Sequence, residues 1–194
     1  SFYPNKNITT GEGGMIVFSK KSFYEKAKII RNQGRELKDK FFDHKYPGNN
    51  FRLSNINAAI GVSQLSRFNK LQNERKKVFK LYDLFLEKKK DQFTKLPKPN
   101  KTTNSFWLYT IRLNKISKKK RNKIILNLLK KKMQVRPGFL TLNKQKAYKK
   151  YCKNNYKNSV SISNEIISFP TEPFLSKVLI KKICKDFLKQ LSGN

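Results

Sequence analysis

The sequence is poor in the residues that build metal centres and disulfide frameworks. It contains two cysteines, Cys152 and Cys184, and a single histidine, His44. The cysteines are far apart and have no metal-type partners beside them, which argues against a zinc-type site and against a disulfide scaffold. We therefore predict no metal site, and we expect two free thiols in a reducing compartment, the cytoplasm.

Long apolar runs are also missing. No segment approaches the roughly 20 apolar residues that a membrane-spanning helix needs, so we predict no membrane partner. The first residues lack the charged segment followed by an apolar one that marks an export signal. The chain also has no internal repeat, which argues against a repeat architecture.

Acidic residues are scarce, because 12 Asp and Glu stand against 45 Lys and Arg, for a formal net charge of +33. Such a charge attracts polyanions. The lysine runs are spread along the polar faces of predicted helices, which is typical of a solvated surface, so we predict no specific nucleic-acid partner. The alternative, a basic nucleic-acid-binding protein, stays open at 144–157, where Tyr148, Tyr151 and Tyr156 stand among lysines.

The sequence does contain short apolar segments with helix and strand periodicity. In the first part they predict a buried strand at 15–18, a helix from Ser22 to Gly34, an irregular loop at 35–53 and one long helix from Ser54 to about residue 90. A loop of that length in a compact domain is usually functional. The polar, proline-containing segment 95–104 predicts a domain boundary.

The second part has the pattern of a small α/β unit. It predicts a strand at 105–113, a helix capped by Ser117, a short strand at 134–137, helical segments at 144–151 and 158–166, and a terminal helix from Ser176. We therefore predict an α/β fold with two domains, 1–94 and 95–194.

The first loop, SFYPNKNITTGEGG at 1–14, combines the groups of a covalent cofactor site. A lysine amine held near an aldehyde acts as a nucleophile, and the hydroxyls and N–H groups of glycine-rich loops bind phosphate. Lys6 offers the amine and Ser1 a hydroxyl. From these residues alone, Lys6 is better explained as one of many surface lysines.

Four segments, in order along the chain, resemble one family. SFYPNKNITTGEGGMIVF (1–18) is similar to the cofactor-lysine segment of the DegT/DnrJ/EryC1/StrS sugar aminotransferases, which use pyridoxal 5'-phosphate. HKYPGNNFRLSNINAAIGVSQL (44–65) resembles the family's Gly-Tyr-Asn-Tyr-Arg-Met segment and the helix that follows. QVRPGFLTLNKQKAY (134–148) and SFPTEP (168–173) resemble two later segments of the small domain.

The resemblance implies that this chain is the back half of a fold-type I transferase. Residues 1–94 would end the large cofactor-binding domain with a long helix, and residues 95–194 would form the small C-terminal α/β domain. The implied reaction moves an amino group, from glutamate, to a keto carbon of a nucleotide-linked deoxysugar for surface polysaccharides such as lipopolysaccharide. The implied assembly is a homodimer with shared active sites. The absent front half carries the rest of the cofactor site, so the chain alone is expected to be inactive.

The resemblance also assigns cofactor roles. Lys6 would form the internal aldimine and then act as the general base that moves a proton between cofactor and sugar. Ser1 would hydrogen-bond the cofactor phosphate. Asn50 would reach the phosphate of the neighbouring subunit's cofactor, although ordinary turn chemistry also explains an asparagine there. The presence of Lys6 argues against the family's dehydratases, which have histidine at that position.

Three residues are matched as substrate contacts. Arg52 would meet the nucleotide sugar or the carboxylate of glutamate, and Arg136 the substrate pyrophosphate. His44 lies where many relatives also have a histidine. From the residues alone, a solvated strand end explains Arg136 better, and a polar loop residue explains His44 equally well. In one departure from the family pattern, many relatives have a histidine after the Arg-Pro segment, where this chain has the stretch that contains Asn143.

Overall fold

The computed structural model describes residues 1–97 and 99–192, apart from the side chain of Lys88. Lys98 of the predicted linker, and Gly193 and Asn194 of the predicted second domain, lie outside the described residues. The chain forms two compact units, Ser1–Asn69 and Lys70–Asn194, called here the N-terminal and C-terminal units. The division into functional domains at residue 94 stays a prediction.

The N-terminal unit consists of two helices and the loops that join them. Helix α1 spans Lys21–Arg31 and helix α2 spans Asn55–Ser66. The one bridge between extended segments described in this unit pairs Asn32 with Asn50. Among the described residues, the buried apolar side chains all belong to the C-terminal unit, so α1 and α2 have no buried core residues of their own.

The predicted strand at 15–18 is wrong. Residues 15–18 have no strand pairing, and Met15, Ile16 and Val17 are exposed by 71%, 73% and 86%. A strand is stable only when neighbouring strands satisfy its backbone N–H and C=O groups. Among the described residues of this unit, no such neighbour lies beside the segment, so its apolar pattern alone does not produce a strand.

The predicted long helix is two helices. Helix α2 ends at Ser66 and helix α3 begins at Phe68 and ends at Leu86. The Ser66 hydroxyl (2.9 Å) and the Arg67 side chain (3.4 Å) both donate to the carbonyl of Ser63, and the Arg67 N–H donates to Gln64 instead. Such bonds from side chains to the backbone compete with regular helix bonds and explain the break.

The C-terminal unit is built on a four-stranded antiparallel sheet in the order β1-β2-β4-β3. The strands are β1 Phe93–Lys95, β2 Tyr109–Leu113, β3 Arg136–Pro137 and β4 Ile166–Phe169. The remaining helices are α4 Lys118–Lys130, α5 Lys157–Glu165 and α6 Lys177–Ser192. A short 3₁₀ turn at Glu87–Lys89 follows α3. Where the sequence predicts a helix, at 144–151, the structure has two more 3₁₀ turns, Leu142–Lys144 and Lys149–Tyr151. None of the described helices is long and apolar enough to span a membrane.

An aromatic cluster forms the core of the C-terminal unit. The ring of Tyr82 on α3 stacks on Tyr109 of β2 at 4.8 Å, and Phe187 of α6 meets Phe169 of β4 edge-on at 5.0 Å. The tyrosine hydroxyls donate to Pro170 and Asp83 at 2.9 and 2.8 Å. Burial raises the pKa of both tyrosines, which therefore stay neutral hydrogen-bond donors.

Phe187→Ala is expected to destabilise this unit strongly. The side chain is fully buried, so its removal leaves a cavity that costs about 3–5 kcal/mol, a large part of the ~5–15 kcal/mol that stabilises a typical domain. Urea unfolding followed by the fluorescence of the single tryptophan, Trp107, reports on this unit. Val178→Ala, an exposed site on the same helix, should change stability by less than about 0.5 kcal/mol. Equal effects of the two variants would contradict this account of the core.

Candidate active site

The loop that carries Lys6 is closed by its own backbone. The N–H of Phe2 donates to Gly13 at 2.9 Å, and the N–H of Thr10 donates back to Phe2 at 3.0 Å. The Thr9 hydroxyl also donates to the Phe2 carbonyl, at 2.9 Å. Lys6 is half-buried in the turn between the two arms, where its N–H donates to Tyr3. The sequence-predicted nucleophile therefore lies on an ordered loop.

Ser1 lies at the start of the same closed loop. Its side chain is exposed and its hydroxyl accepts a hydrogen bond from the N–H of Tyr3 at 3.3 Å. A hydroxyl that accepts from the backbone still has its own proton to donate to a phosphate oxygen. The structure thus places the predicted amine and the predicted phosphate donor on one loop.

Helix α2 supports this loop. Asn57, in the first turn of α2, donates to the carbonyl of Glu12 at 3.4 Å, and Ser54 caps the helix by accepting from the N–H of Asn57. Thr10 is 3% exposed, and its hydroxyl donates to Glu12 at 2.6 Å. No local sequence pattern marks Thr10 or Asn57, because their roles depend on a contact between segments that are far apart in the chain.

The loop at 44–53 is ordered against the end of α1. Asn49 donates to Ile30 at 3.1 Å, Phe51 donates to Arg31 at 3.0 Å, and His44 Nδ1 lies 2.7 Å from the carbonyl oxygen of Gln33. Its irregular sequence therefore has a defined conformation.

A glycine permits the close approach of this loop to α1. Gly34 has φ +78°, and a Cβ there would lie 1.5 Å from the carbonyl oxygen of Tyr46. Only glycine tolerates both the conformation and the contact. Nearby, the N–H of Phe41 donates to the Asp39 carboxylate at 3.0 Å and holds the pKa of that carboxyl below its usual value. The segment that leads into 44–53 is thus also ordered by local bonds.

The structure brings Asn50 and Arg52 together. Arg52 Nε donates to Asn50 Oδ1 at 3.2 Å, and both side chains are exposed at the end of the 44–53 loop. His44 belongs to the same loop and is also exposed. These three residues, with Ser1 and Lys6, all lie in the N-terminal unit. An amine, a hydroxyl, an amide and a guanidinium group suit an anionic ligand with an electrophilic carbon.

Arg136 lies in the other unit. It is exposed on β3, where it pairs with Ser168 of β4. The adjacent Gly138 lies against Ile166, which fixes the path of the chain beyond the strand: a Cβ at Gly138 would be 2.0 Å from the Ile166 side chain. The predicted role of Arg136 in substrate binding stays a prediction.

The described part of the chain offers little for a metal site or a reactive cysteine. No group of three or more His, Cys, Asp or Glu side chains there could hold a metal ion. Cys184 is buried, and burial raises the pKa of its thiol to about 12, so it is a poor nucleophile at neutral pH. Cys152 is half-buried.

A cavity of about 780 Å³ lies beside the start of α4, in the C-terminal unit. Its lining includes Arg112, Glu165 and Lys120. Arg112 is paired with Glu165 at 2.5 Å, and Lys120 donates to the carbonyl of Leu191 at 3.5 Å. Arg112, Glu165 and Lys120 thus already have partners within the protein, and none of the predicted site residues lines the cavity.

The basic and aromatic stretch at 144–157 is exposed. Tyr148, Tyr151 and Tyr156 are all accessible, and Lys150 lies over the ring of Tyr151 at 4.9 Å. Exposed aromatic rings among lysines are one requirement of a single-strand binding surface. The second requirement is a continuous basic groove, and the nucleic-acid alternative stays a prediction.

The sequence model of the DegT/DnrJ/EryC1/StrS aminotransferase family matches residues 1–188. The chain is 31% identical over 185 residues to GDP-perosamine synthase of Vibrio cholerae, a match that covers 95% of this chain and 50% of that protein. It is 29% identical over 185 residues to GDP-perosamine synthase of Caulobacter vibrioides, where the match covers 94% of this chain and 49% of the relative. The chain therefore spans about half the length of the relatives it matches.

A solved structure shows the same fold. The chain superposes with a TM-score of 0.86 on PseC of Helicobacter pylori, an aminotransferase involved in the biosynthesis of pseudoaminic acid. The sequences are 28% identical, and the match covers 100% of this chain and 53% of that chain. The predicted fold is confirmed as a mixed α/β structure that corresponds to roughly half of the fold-type I sugar aminotransferases.

Proposed function

Because the chain belongs to the DegT/DnrJ/EryC1/StrS aminotransferase family, we propose that it forms part of a pyridoxal-phosphate-dependent enzyme that aminates a nucleotide-linked keto sugar. The observation that carries the proposal is the closed loop that orders Lys6, inside a family match that includes residues 1–188. The cofactor, when bound, supplies an electron sink that stabilises negative charge at the carbon being aminated.

The residues present fit two ends of this cofactor. Lys6 offers a primary amine for the aldehyde, and Ser1 on the same loop offers a hydroxyl for the phosphate. Asn50 and Arg52 add an amide and a guanidinium group on a second ordered loop. This donor set matches an aldehyde and a dianionic phosphate by charge and hydrogen-bonding type.

In the proposed reaction, the Lys6 amine holds the cofactor and then carries a proton to and from the substrate carbon. Arg52 orients an anionic group, either the carboxylate of glutamate or the phosphates of the nucleotide sugar, since guanidinium binds such oxyanions through two parallel bonds. The net charge of +33 favours the approach of an anionic nucleotide sugar. His44 and Arg136 remain proposed substrate contacts.

The substrate class is proposed from the relatives. Two of them are named GDP-perosamine synthases, and the solved relative acts in pseudoaminic acid biosynthesis. We propose that the substrate here is likewise a nucleotide-linked keto deoxysugar for a surface polysaccharide, with glutamate as the amino donor, in the cytoplasm.

The proposed working unit is larger than this chain. The apolar side chains of Met15, Ile16, Val17 and Phe51 are exposed in a unit whose helices bury no core residues. We propose that a front half, corresponding to the remaining length of the relatives, packs on this unit and completes the cofactor site, and that two such enzymes form a dimer with shared sites. "Full-length enzyme" below means this chain preceded by that front half.

Reductive trapping tests the function. The full-length enzyme, incubated with pyridoxal 5'-phosphate and reduced with borohydride, should carry the pyridoxyl group on Lys6, since this lysine lies on the ordered loop. Peptide mass spectrometry locates the label, and exposed Lys77 on α3 serves as an internal standard for unspecific labelling. Stoichiometric label at another lysine, persisting in Lys6→Ala, would show that the cofactor is held elsewhere.

A further inference from the structure

Thr10 is enclosed by two glycines from different segments. A Cβ at Gly61 in helix α2 would lie 2.9 Å from Thr10 Cγ2. A Cβ at Gly13, which has φ +138°, would lie 2.9 Å from Thr10 Oγ1 and 2.8 Å from Leu53 Cδ1. Contacts this short do not occur for real Cβ atoms, so the Thr10 side chain occupies space that only glycines at 13 and 61 leave free.

The same threonine holds the loop closed. Its N–H donates to Phe2 at 3.0 Å, and its hydroxyl donates to Glu12 at 2.6 Å. The Glu12 carbonyl also accepts from Asn57 of α2. The methyl group of Thr10 thus packs against helix α2, while its hydrogen bonds hold the backbone of the Lys6 loop closed.

The contact also includes the second loop. The Leu53 side chain lies where a Cβ at Gly13 would come too close, and Leu53 directly follows Arg52. The next residue, Ser54, caps the start of α2. One packed contact therefore lies next to both the loop that carries Lys6 and the loop that carries Asn50 and Arg52.

We propose that Thr10, Gly13 and Gly61 form a packing joint that fixes the Lys6 loop on α2 and so positions the Lys6 amine. Thr10 and Gly61 are then positioning residues. The joint itself rests on the geometry alone, whereas its catalytic meaning rests on the function proposed above for Lys6.

The presence of glycine inside α2 supports this joint. A glycine in the interior of a helix is unfavourable compared with alanine, because it loses more backbone entropy on folding. Gly61 lies in the middle of Asn55–Ser66. On helix stability alone Gly61→Ala should strengthen the helix, and the proposed joint predicts instead that it loosens the Lys6 loop.

The first experiment measures hydrogen exchange in the full-length enzyme. Gly61→Ala should speed exchange at the amides of Phe2 and Thr10 about tenfold, as expected for one added methyl group in a tight contact. Thr10→Ser removes only the methyl group that Gly61 contacts and keeps the hydroxyl. The double variant Gly61→Ala/Thr10→Ser should therefore restore slow exchange to within about twofold of the unchanged full-length enzyme.

The second experiment measures the position of Lys6 in the same variants. Each full-length variant is treated with pyridoxal 5'-phosphate and borohydride, and the label on Lys6 is divided by the label on Lys77. Gly61→Ala should change this ratio severalfold, and the double variant should return it. Val62→Ala, an exposed neighbour on α2, raises helix propensity without approaching Thr10 and should change neither measurement.

Two results would overturn the joint: loop amides that exchange as fast in the unchanged full-length enzyme as in an unstructured peptide, or a double variant no slower in exchange than Gly61→Ala. If Lys6 is labelled preferentially and exchange follows the prediction, but the labelling ratio is the same in every variant, the joint orders the loop without positioning the amine, and the proposal fails. Failure of the function alone appears differently, as absence of preferred Lys6 labelling in the full-length enzyme while the exchange pattern holds.

Discussion

Lys6→Ala is expected to lower the aminotransferase activity of the full-length enzyme by at least about 10²–10⁴-fold, the range typical for loss of a positioned general base. The substitution removes both the amine that holds the cofactor and the base that moves the proton. The loop itself should stay folded, because its closing bonds join the backbones of Phe2, Thr10 and Gly13.

The measurement is the initial rate of amino transfer from glutamate to a nucleotide-linked keto sugar. Lys26→Ala, an exposed lysine on α1, is the matched control and should retain full activity. Added methylamine should restore part of the activity of Lys6→Ala if only the proton transfer is missing. A Lys6→Ala enzyme with at least a tenth of the normal rate would place the base on another residue.

The elements that the sequence predicts well are those with a strong local pattern. The strand predicted at 105–113 forms over Tyr109–Leu113, where Tyr109, Ile111 and Leu113 are buried on one face, as alternation requires. Helix α4 begins at its predicted cap, since Ser117 accepts from the N–H of Lys120. In both cases the burial of one face and the local hydrogen bonds favour the same structure.

The elements that it predicts poorly depend on distant partners. Strand β4 directly follows α5 and continues the apolar pattern of that helix, so only its pairing with β2 and β3 identifies it as a strand. The opposite error occurs at 15–18, where an apolar segment has no strand beside it among the described residues. A short apolar run does not specify whether a partner strand is available.

Two arginines with structural roles cannot be recognised in this lysine-rich sequence. Arg75 donates to the carbonyl of Thr171 at 2.9 Å, and Arg121 donates to that of Ile166 at 3.1 Å. Both arginines are buried, and burial lowers the pKa of each guanidinium group. In the sequence they stand within lysine-rich segments that look like solvated faces, so no local pattern separates them from their neighbours.

The candidate site shows the same division between local and distant information. Lys6 and Asn50 could be selected because short motifs surround them, and the structure places both on ordered loops. The contact between Thr10 and Gly61 could not, since it joins a loop and a helix that are far apart in the chain. Motifs identify chemical groups, and packing determines how precisely those groups are held.

Mixing two inactive variants of the full-length enzyme is expected to restore activity. One variant is Lys6→Ala, and the other is the double variant Asn50→Ala/Arg52→Ala, whose exposed side chains are proposed to reach the partner's site. In a symmetric dimer with shared sites, a mixed dimer has one site with both lesions and one site with an intact lysine and an intact loop. At equal mixing about half of the dimers are mixed, so about a quarter of the unmodified activity should return.

Controls separate this result from incomplete exchange. Lys6→Ala mixed with the triple variant Lys6→Ala/Asn50→Ala/Arg52→Ala should restore nothing, because no subunit then supplies the lysine. Native mass spectrometry of isotope-labelled subunits establishes that exchange has occurred. If subunits exchange and the first mixture still has no activity, Asn50 and Arg52 act in the site of their own chain. In that case the exposed side chains of Asn50 and Arg52 must lie beside the Lys6 of their own chain, and the shared-site dimer is wrong.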